Sequence, residues 1–336
     1  MVRLNLVKKK IDFSFCDNNY IDGNIAFCAD SNYISYVGIA INSIIKNSTG
    51  KYCFHIFTKN IKIEELNKLE RLAKLFSQNI VVYEINDEIF LNLHLSKENG
   101  HVTVGAFYRF IVPDILEENI KKILYLDVDI YCASNIKSIF DTNIDSNIAA
   151  VIADISEKDN SKRLKVKKYF NSGVMLINRV RWVKEKISDQ CLKMAKERKF
   201  PFLDQDILNI ILENKTVFID HQYNFQYSLS NLLDNAKRPS LVAIPDNDII
   251  LVHFIGASKP WHSWVQNCRI VEKYNELKSD TEWHDLKLIK PKNYKDMHKA
   301  ARVSRKERKY INMLVYYCLY AISKMKFILK NLWSNV

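Results

Sequence analysis

The chain has 336 residues, 48% hydrophobic and 26% charged, a balance that excludes disordered and fibrous classes and suffices for one large core or two smaller ones. Its net charge is +12, but 13 Lys and Arg against two acids (Asp296 and Glu307) fall after residue 286, leaving +1 for everything before. No uncharged apolar stretch reaches the roughly 18 residues needed to span a bilayer, and the N-terminal segment MVRLNLVKKKIDFSFC lacks an apolar signal region, which argues against export or membrane spanning.

In chain order, NIAFCA (24–29) reads as a buried strand, and YVGIAINSIIK (36–46) has helical spacing. YCFHIFT (52–58) reads as a second strand. KIEELNKLERLAKLF (62–76) places Leu66, Leu69, Leu72 and Phe76 on one helical face, and IVVYEI (80–85) is a β-branched third strand. Strands alternating with helices predict an α/β fold with a mainly parallel sheet, whose ligands bind beyond the carboxyl ends of the strands. A helix is expected near 105–112. The apolar strand KKILYLDVDIY (121–131) follows and ends in two carboxylates. IAAVIAD (148–154), YFNSGVMLIN (169–178), LDQDILNIIL (203–212) and IILVHFIG (249–256) likewise set polar groups against apolar runs. The first 285 or so residues read as one domain.

Asp127 and Asp129 are two apart, so on a strand both carboxylates face one side. Their mutual repulsion is relieved by a divalent cation, and hard oxygen ligands suit Mg²⁺ or Mn²⁺. The plainer alternative is a helix cap and a turn residue. His253 ends IILVHF, where a core role competes with metal ligation. Gly256 and Lys259 after it offer close backbone approach and a cation suited to a diphosphate, and imidazole with two carboxylates tilts the choice toward Mn²⁺. Asp30 and Asn32 follow the first strand, where either can contact a base or ribose or serve as turn residues. Asn171, Ser172 and Gly173 interrupt an apolar run. Asp204, Gln205 and Asp206 precede a helix, where N-capping is the alternative. Seven cysteines without a CxxC pair fit free thiols in a reducing compartment. Only seven glycines occur, with no GxGxxG or GxxxxGK[ST], so a glycine-rich phosphate loop is excluded.

Taken together, FCADSNY (27–33), YRF (108–110), LYLDVDI (124–130), YFNSGVMLIN (169–178), LDQDILN (203–209) and HFIGASKPWHSW (253–264) resemble the retaining glycosyltransferase family 8. Within it, the chain looks most like enterobacterial enzymes that add hexoses to the lipopolysaccharide outer core. The resemblance implies a GT-A fold, a UDP-glucose or UDP-galactose donor and a Mn²⁺ or Mg²⁺ held by Asp127, Asp129 and His253. It implies donor contacts at Cys28, Asp30, Asn32, Tyr33, Asp127, Val128, Gly256 and Lys259. Around the sugar it implies Arg109, Asp154, Asn171, Asp204 and Gln205, with Gln205 where a nucleophile would stand. Cys28 departs from the small residue usual beside the uracil.

The tail carries five cations and one acid in ARVSRKERKY (301–310), then the uncharged INMLVYYCLYAIS and KMKFILKNLW. This pattern suits a helix lying in the interface of an anionic membrane. The alternative packs Leu314, Tyr317 and Ala321 on the main domain. The expected organisation is a transferase domain over 1–286 and a membrane-association region over 287–336. The expected enzyme is cytoplasmic and peripheral on the inner membrane, with a lipopolysaccharide core acceptor joined by an α-1,2 or α-1,3 linkage. Its competitors are a family 8 transferase for capsule or glycoprotein sugars, and a basic nucleic-acid-binding protein. The contiguous apolar block of the tail is unlike a stacking platform and predicts no nucleic acid.

Overall fold

The computed structural model describes residues 6–90, 93, 104–229 and 248–333. It divides into two compact units, one of residues 1–226, 245–253 and 281–283, the other of 227–244, 254–280 and 284–336.

The first unit is built on an eight-stranded sheet in the order β1-β4-β3-β2-β5-β8-β7-β9. Its strands are β1 (Val7–Ser14), β2 (Gly23–Cys28), β3 (Tyr52–Thr58), β4 (Asn79–Ile85), β5 (Lys122–Leu126), β7 (Ala149–Ala153), β8 (Phe170–Asn178) and β9 (Thr216–Phe218). The neighbours β4, β3, β2 and β5 run parallel, as the alternation of strands and helices predicts. All seven residues of β3 are buried, which is why this strand reads as a continuous apolar run. At the edge, β1 (VKKKIDFS) pairs antiparallel with β4. Its lysines leave the free edge unattractive to another strand.

Helix α1 (Ile34–Asn47) is buried nearly all round. A Cβ on Gly38 would lie 2.1 Å from the ring of Trp283, so only glycine lets this indole reach the helix. The Trp283 indole N–H donates to Glu65 Oε2 at 2.7 Å. Glu65 belongs to α2 (Ile63–Phe76), which buries Leu66, Leu69 and Leu72 and leaves Phe76 half-buried at its end. The helix expected near 105–112 is a 3-10 segment, Val104–Phe110, followed by the single turn α3 (Val112–Ile115).

The strand expected over 121–131 breaks in two. β5 stops at Leu126, the chain turns through Asp127, Val128 and Asp129, and β6 (Ile130–Cys132) enters a separate three-stranded sheet in the order β10-β11-β6. Here β10 (Phe225–Gln226) runs parallel to β11 (Leu251–His253), and β11 antiparallel to β6, with His253 opposite Ile130. Beyond β7 lie α4 (Glu157–Leu164), α5 (Arg179–Lys184), α6 (Ile187–Glu197) and α7 (Leu203–Ile211).

The second unit contains α8 (Arg269–Ser279), α9 (Tyr294–Lys306) and α10 (Tyr310–Trp333). Tyr294 and His298 of α9 meet α10 at Phe327 and Tyr320, with ring centroids 5.2 and 4.9 Å apart. The opposite side of α10 exposes Ile311, Leu314, Val315, Leu319, Ile322, Met325 and Leu329, a stripe at helical spacing. Leu314 and Ala321 are exposed on α10, while Tyr317 is half-buried near His298. Among the described residues, no helix is long and apolar enough to cross a membrane.

Candidate active site

Two strand registers bring the metal-type ligands together. The pairing of β11 with β6 sets His253 opposite Ile130, the residue after Asp129. In the main sheet, Leu126 of β5 pairs with Val174 of β8, and the Asp127 N–H continues the ladder by donating to Gly173 O at 2.9 Å. The aspartates therefore converge through the turn between two sheets, and not through the period of one strand. His253 Nε2 lies 3.2 Å from Asp129 Oδ1 and 3.9 Å from Asp127 Oδ2. One ligand atom from each residue falls within 4.8 Å of the others, close enough to share an ion.

Gly173 makes room for this cluster. A Cβ there would stand 2.3 Å from His253 Cε1 and 2.9 Å from Asp127 Oδ2.

Arg109 is 5% exposed and lies between Asp127 and Asp204. One terminal nitrogen donates to Asp127 Oδ1 at 2.8 Å, Nε lies 3.0 Å from Asp204 Oδ2, and the other terminal nitrogen donates to Ser172 O and Oγ. Its guanidinium stacks over the Tyr125 ring, 4.6 Å from the centroid. Burial opposes the charge, but Asp127 and Asp204 outweigh it and raise the guanidinium pKa further. Burial pushes the Asp204 carboxyl up to about 6, against the pull of Arg109 and with that of Asp127. The Tyr125 hydroxyl donates to Asp127 Oδ1 at 2.9 Å. That oxygen is thus engaged by two donors, and Oδ2 is the one turned toward His253. The donor set fits a hard divalent cation: two carboxylates and an imidazole meet where Arg109 is already committed to Asp127 and Asp204.

Residues around the expected sugar position form one hydrogen-bonded group. Gln205 Oε1 accepts from Ser172 N–H at 3.1 Å, and its Nε2 donates to Asp154 Oδ2 at 3.2 Å and to Tyr169 Oη at 3.1 Å. Asn171 Nδ2 donates to the same Asp154 oxygen at 3.3 Å. Asp204, Gln205 and Asp206 lie in the first turn of α7 and not ahead of it. Asp206 does take up the helix-start role, accepting from Phe202 N–H, and it also pairs with Arg163 at 2.7 Å and Tyr169 at 2.6 Å.

Among the expected nucleotide contacts, Cys28 ends β2 and is buried, and Asp30 Oδ1 accepts from Asn32 N–H at 2.8 Å. Burial, then Asp30 and Asp129, raise the Tyr33 phenol, which places Tyr33 in the field of both aspartates. Gly256 and Lys259 belong to the second unit. Gly256 has φ +79°, and Lys259 Nζ donates to Phe254 O at 2.6 Å. Sequence reading missed Tyr125, Tyr169 and Asn224, a buried residue hydrogen-bonded to both His253 and Asn171. Tyr125 and Tyr169 carried a weak signal, as hydroxyls inside or beside the quoted motifs. Asn224 carried none.

The profile of "Glycosyl transferase family 8" matches residues 24–265, and that of the "Glycosyl transferase family 8 C-terminal" region matches 270–324. The chain belongs to glycosyl transferase family 8. As a family 8 member it is 31% identical to the lipopolysaccharide glucosyltransferase WaaO of Escherichia coli K12, over 90% of this chain and 91% of that one. It is 32% identical to the lipopolysaccharide 1,3-galactosyltransferase of Salmonella typhimurium LT2, over 95% and 97%. The crystal structure of the galactosyltransferase LgtC with donor and acceptor sugar analogues superposes with a TM-score of 0.64 at 22% identity, covering 77% of this chain and 96% of that one. The fold is therefore GT-A, and the protein is a glycosyltransferase and not a nucleic-acid-binding protein without enzymatic activity.

Proposed function

We propose that this family 8 enzyme transfers glucose or galactose, with retention of the α-configuration, from a UDP-hexose to a hexose of the lipopolysaccharide core, with Mn²⁺ or Mg²⁺ as cofactor. The convergence of Asp127, Asp129 and His253 carries the reading. The named activities of the E. coli and Salmonella relatives support the acceptor and donor classes. A divalent cation at these three residues supplies Lewis-acid stabilisation of the charge that develops on the leaving diphosphate.

The chain's own groups define the rest. Asp30, Asn32, Tyr33, Cys28 and Val128 bind the uridine side, and Gly256 and Lys259 the diphosphate. Asp154, Asn171 and Arg109 orient the sugar. The bond from C1 to the phosphate oxygen breaks, the bond from C1 to the acceptor oxygen forms on the same face, and the acceptor proton passes to the leaving phosphate oxygen. Double displacement would need a free carboxylate against C1. Asp204 is buried and paired with Arg109, and Gln205 offers only an amide held at both ends. Asp204 therefore acts as an electrostatic stabiliser of the oxocarbenium-like transition state.

Residues 287–336 bring the enzyme to the anionic cytoplasmic face of the inner membrane, while residues 1–286 carry out transfer. The cations before α10 and its exposed apolar stripe support this division. Incubation with UDP-glucose and UDP-galactose on truncated lipopolysaccharide, with Mn²⁺ and linkage analysis, tests the proposal. An α-linked hexose is expected, and a β-linked product or turnover insensitive to chelator would overturn it.

A further inference from the structure

His253 presents Nε2 to Asp127 and Asp129, and its other ring nitrogen, Nδ1, lies 3.0 Å from Oδ1 of Asn224. Asn224 is 1% exposed and directly precedes β10, whose register sets Gln226 opposite His253. Its Nδ2 donates to Asn171 Oδ1 at 3.0 Å. That same Asn171 oxygen accepts the Gly173 backbone N–H at 3.0 Å.

The polarity of this chain is dictated by its one fixed member. A backbone N–H only donates, so the Asn171 atom facing Gly173 is the oxygen, and Nδ2 points to Asp154. The Asn171 oxygen must then meet the amino group of Asn224, which turns the Asn224 oxygen to the imidazole. An amide oxygen only accepts, so the hydrogen of the neutral ring resides on Nδ1 and the lone pair on Nε2. Metal ligation by Nε2 requires that tautomer, and the partner on the remote nitrogen commonly fixes both tautomer and ring orientation.

We infer that Asn224 is a positioning residue of the metal centre, holding His253 with Nε2 directed at Asp127 and Asp129, and that Asn171 and Gly173 set the direction of that hold. This rests on the reading of Asp127, Asp129 and His253 as the metal site. The arrangement ties the metal ligand His253 to Asn171 and Asp154 on the sugar side by an unbroken run of side-chain hydrogen bonds.

The test is Mn²⁺ binding by the full chain without nucleotide, followed by electron paramagnetic resonance of the free ion. Wild type is expected to bind, and Asn224→Leu to bind 10–100-fold more weakly, the range seen when such outer partners are removed. In a His253→Ala background, Asn224→Leu should have no further effect, since it acts through the imidazole. A wild type that binds no Mn²⁺ overturns the metal reading itself. Equal binding by Asn224→Leu, or an undiminished effect without His253, overturns the role of Asn224 alone. Should Asn224→Leu fail to fold, ring ¹⁵N spectra of the Mg²⁺-loaded wild type decide, with the His253 signal assigned by His253→Gln. A hydrogen on Nδ1 is expected, and one on Nε2 would refute the inference.

Discussion

Gly173 and His253 touch so closely that a single methyl group would not fit between them: a Cβ on Gly173 would lie 2.3 Å from His253 Cε1 and 2.9 Å from Asp127 Oδ2. His253 is buried, and Asp127 is held by Arg109 and Tyr125, so neither yields at low cost. Gly173→Ala should lower transfer by at least about 100-fold, since displacements near 1 Å have effects of that order. Overall stability should fall by only about 1–3 kcal/mol. Parallel measurement of turnover and urea unfolding checks both, and a fully active alanine variant would show that the three ligands need not be so close.

Arg109 is the counter-ion of the buried Asp204 and of the half-buried Asp127. Arg109→Met leaves Asp127 and Asp204 without it and should cost about 3–5 kcal/mol at pH 7.5. The wild-type Asp204 carboxyl already titrates at about 6, above its ordinary 3.8. Between those values the native state holds a proton that the unfolded chain lacks, so this group's contribution to stability falls as pH rises through the window. Without Arg109 the window extends upward. The deficit of Arg109→Met should therefore shrink between pH 7.5 and 5.5 in urea titrations, and a pH-independent deficit would rule the account out.

His55 gives the opposite slope. It is 2% exposed, with Nδ1 3.3 Å from Tyr83 Oη and Nε2 3.0 Å from Asn24 Oδ1. Burial, and to a lesser degree Lys10, bring its pKa from 6.5 to about 4. A lowered histidine pKa gives stability that is complete above pH 6.5 and is lost as pH falls toward 4, about 3 kcal/mol over the window. His55→Gln should flatten that part of the stability profile measured by denaturant unfolding.

The apolar stripe of α10 contains none of the residues assigned to the site. Replacing Ile311, Leu314, Val315 and Leu319 together by Ser deletes four exposed aliphatic side chains. At about 1 kcal/mol each on burial in lipid, their loss should weaken binding to anionic vesicles by about 1,000-fold. Hydrolysis of UDP-hexose in solution should be unchanged. Retained co-sedimentation with vesicles would detach the tail from the membrane.

The legibility of this chain in its sequence follows burial. β2, β3 and β4 are buried on both faces, and their apolar runs announce them. β1 does not, because an edge strand rich in lysine reads as a polar terminus. Asp127, Asp129 and His253 were legible because they end apolar runs. The turn that aims the aspartates was not, since its cause is the passage of the chain from one sheet to another. Asp206 looked like one of two similar acids on either side of Gln205, and only the fold commits it to Arg163 and Tyr169. Asn224 escaped notice because its partners, His253 and Asn171, lie 29 and 53 residues away in the chain.

The indole of Trp283 has a bearing on how this enzyme can be shortened. It is buried against Gly38 and Glu65 in the unit that carries the metal-type cluster, although the chain leaves that unit at residue 253 and returns to it for residues 281–283 alone. A stop codon placed anywhere before position 283 would strip a fully buried tryptophan from the first unit and open a void beside α1. Shortening from the C-terminal side is thus tolerable only as far as Trp283, and exchange of tails between related enzymes has its natural joint just beyond it.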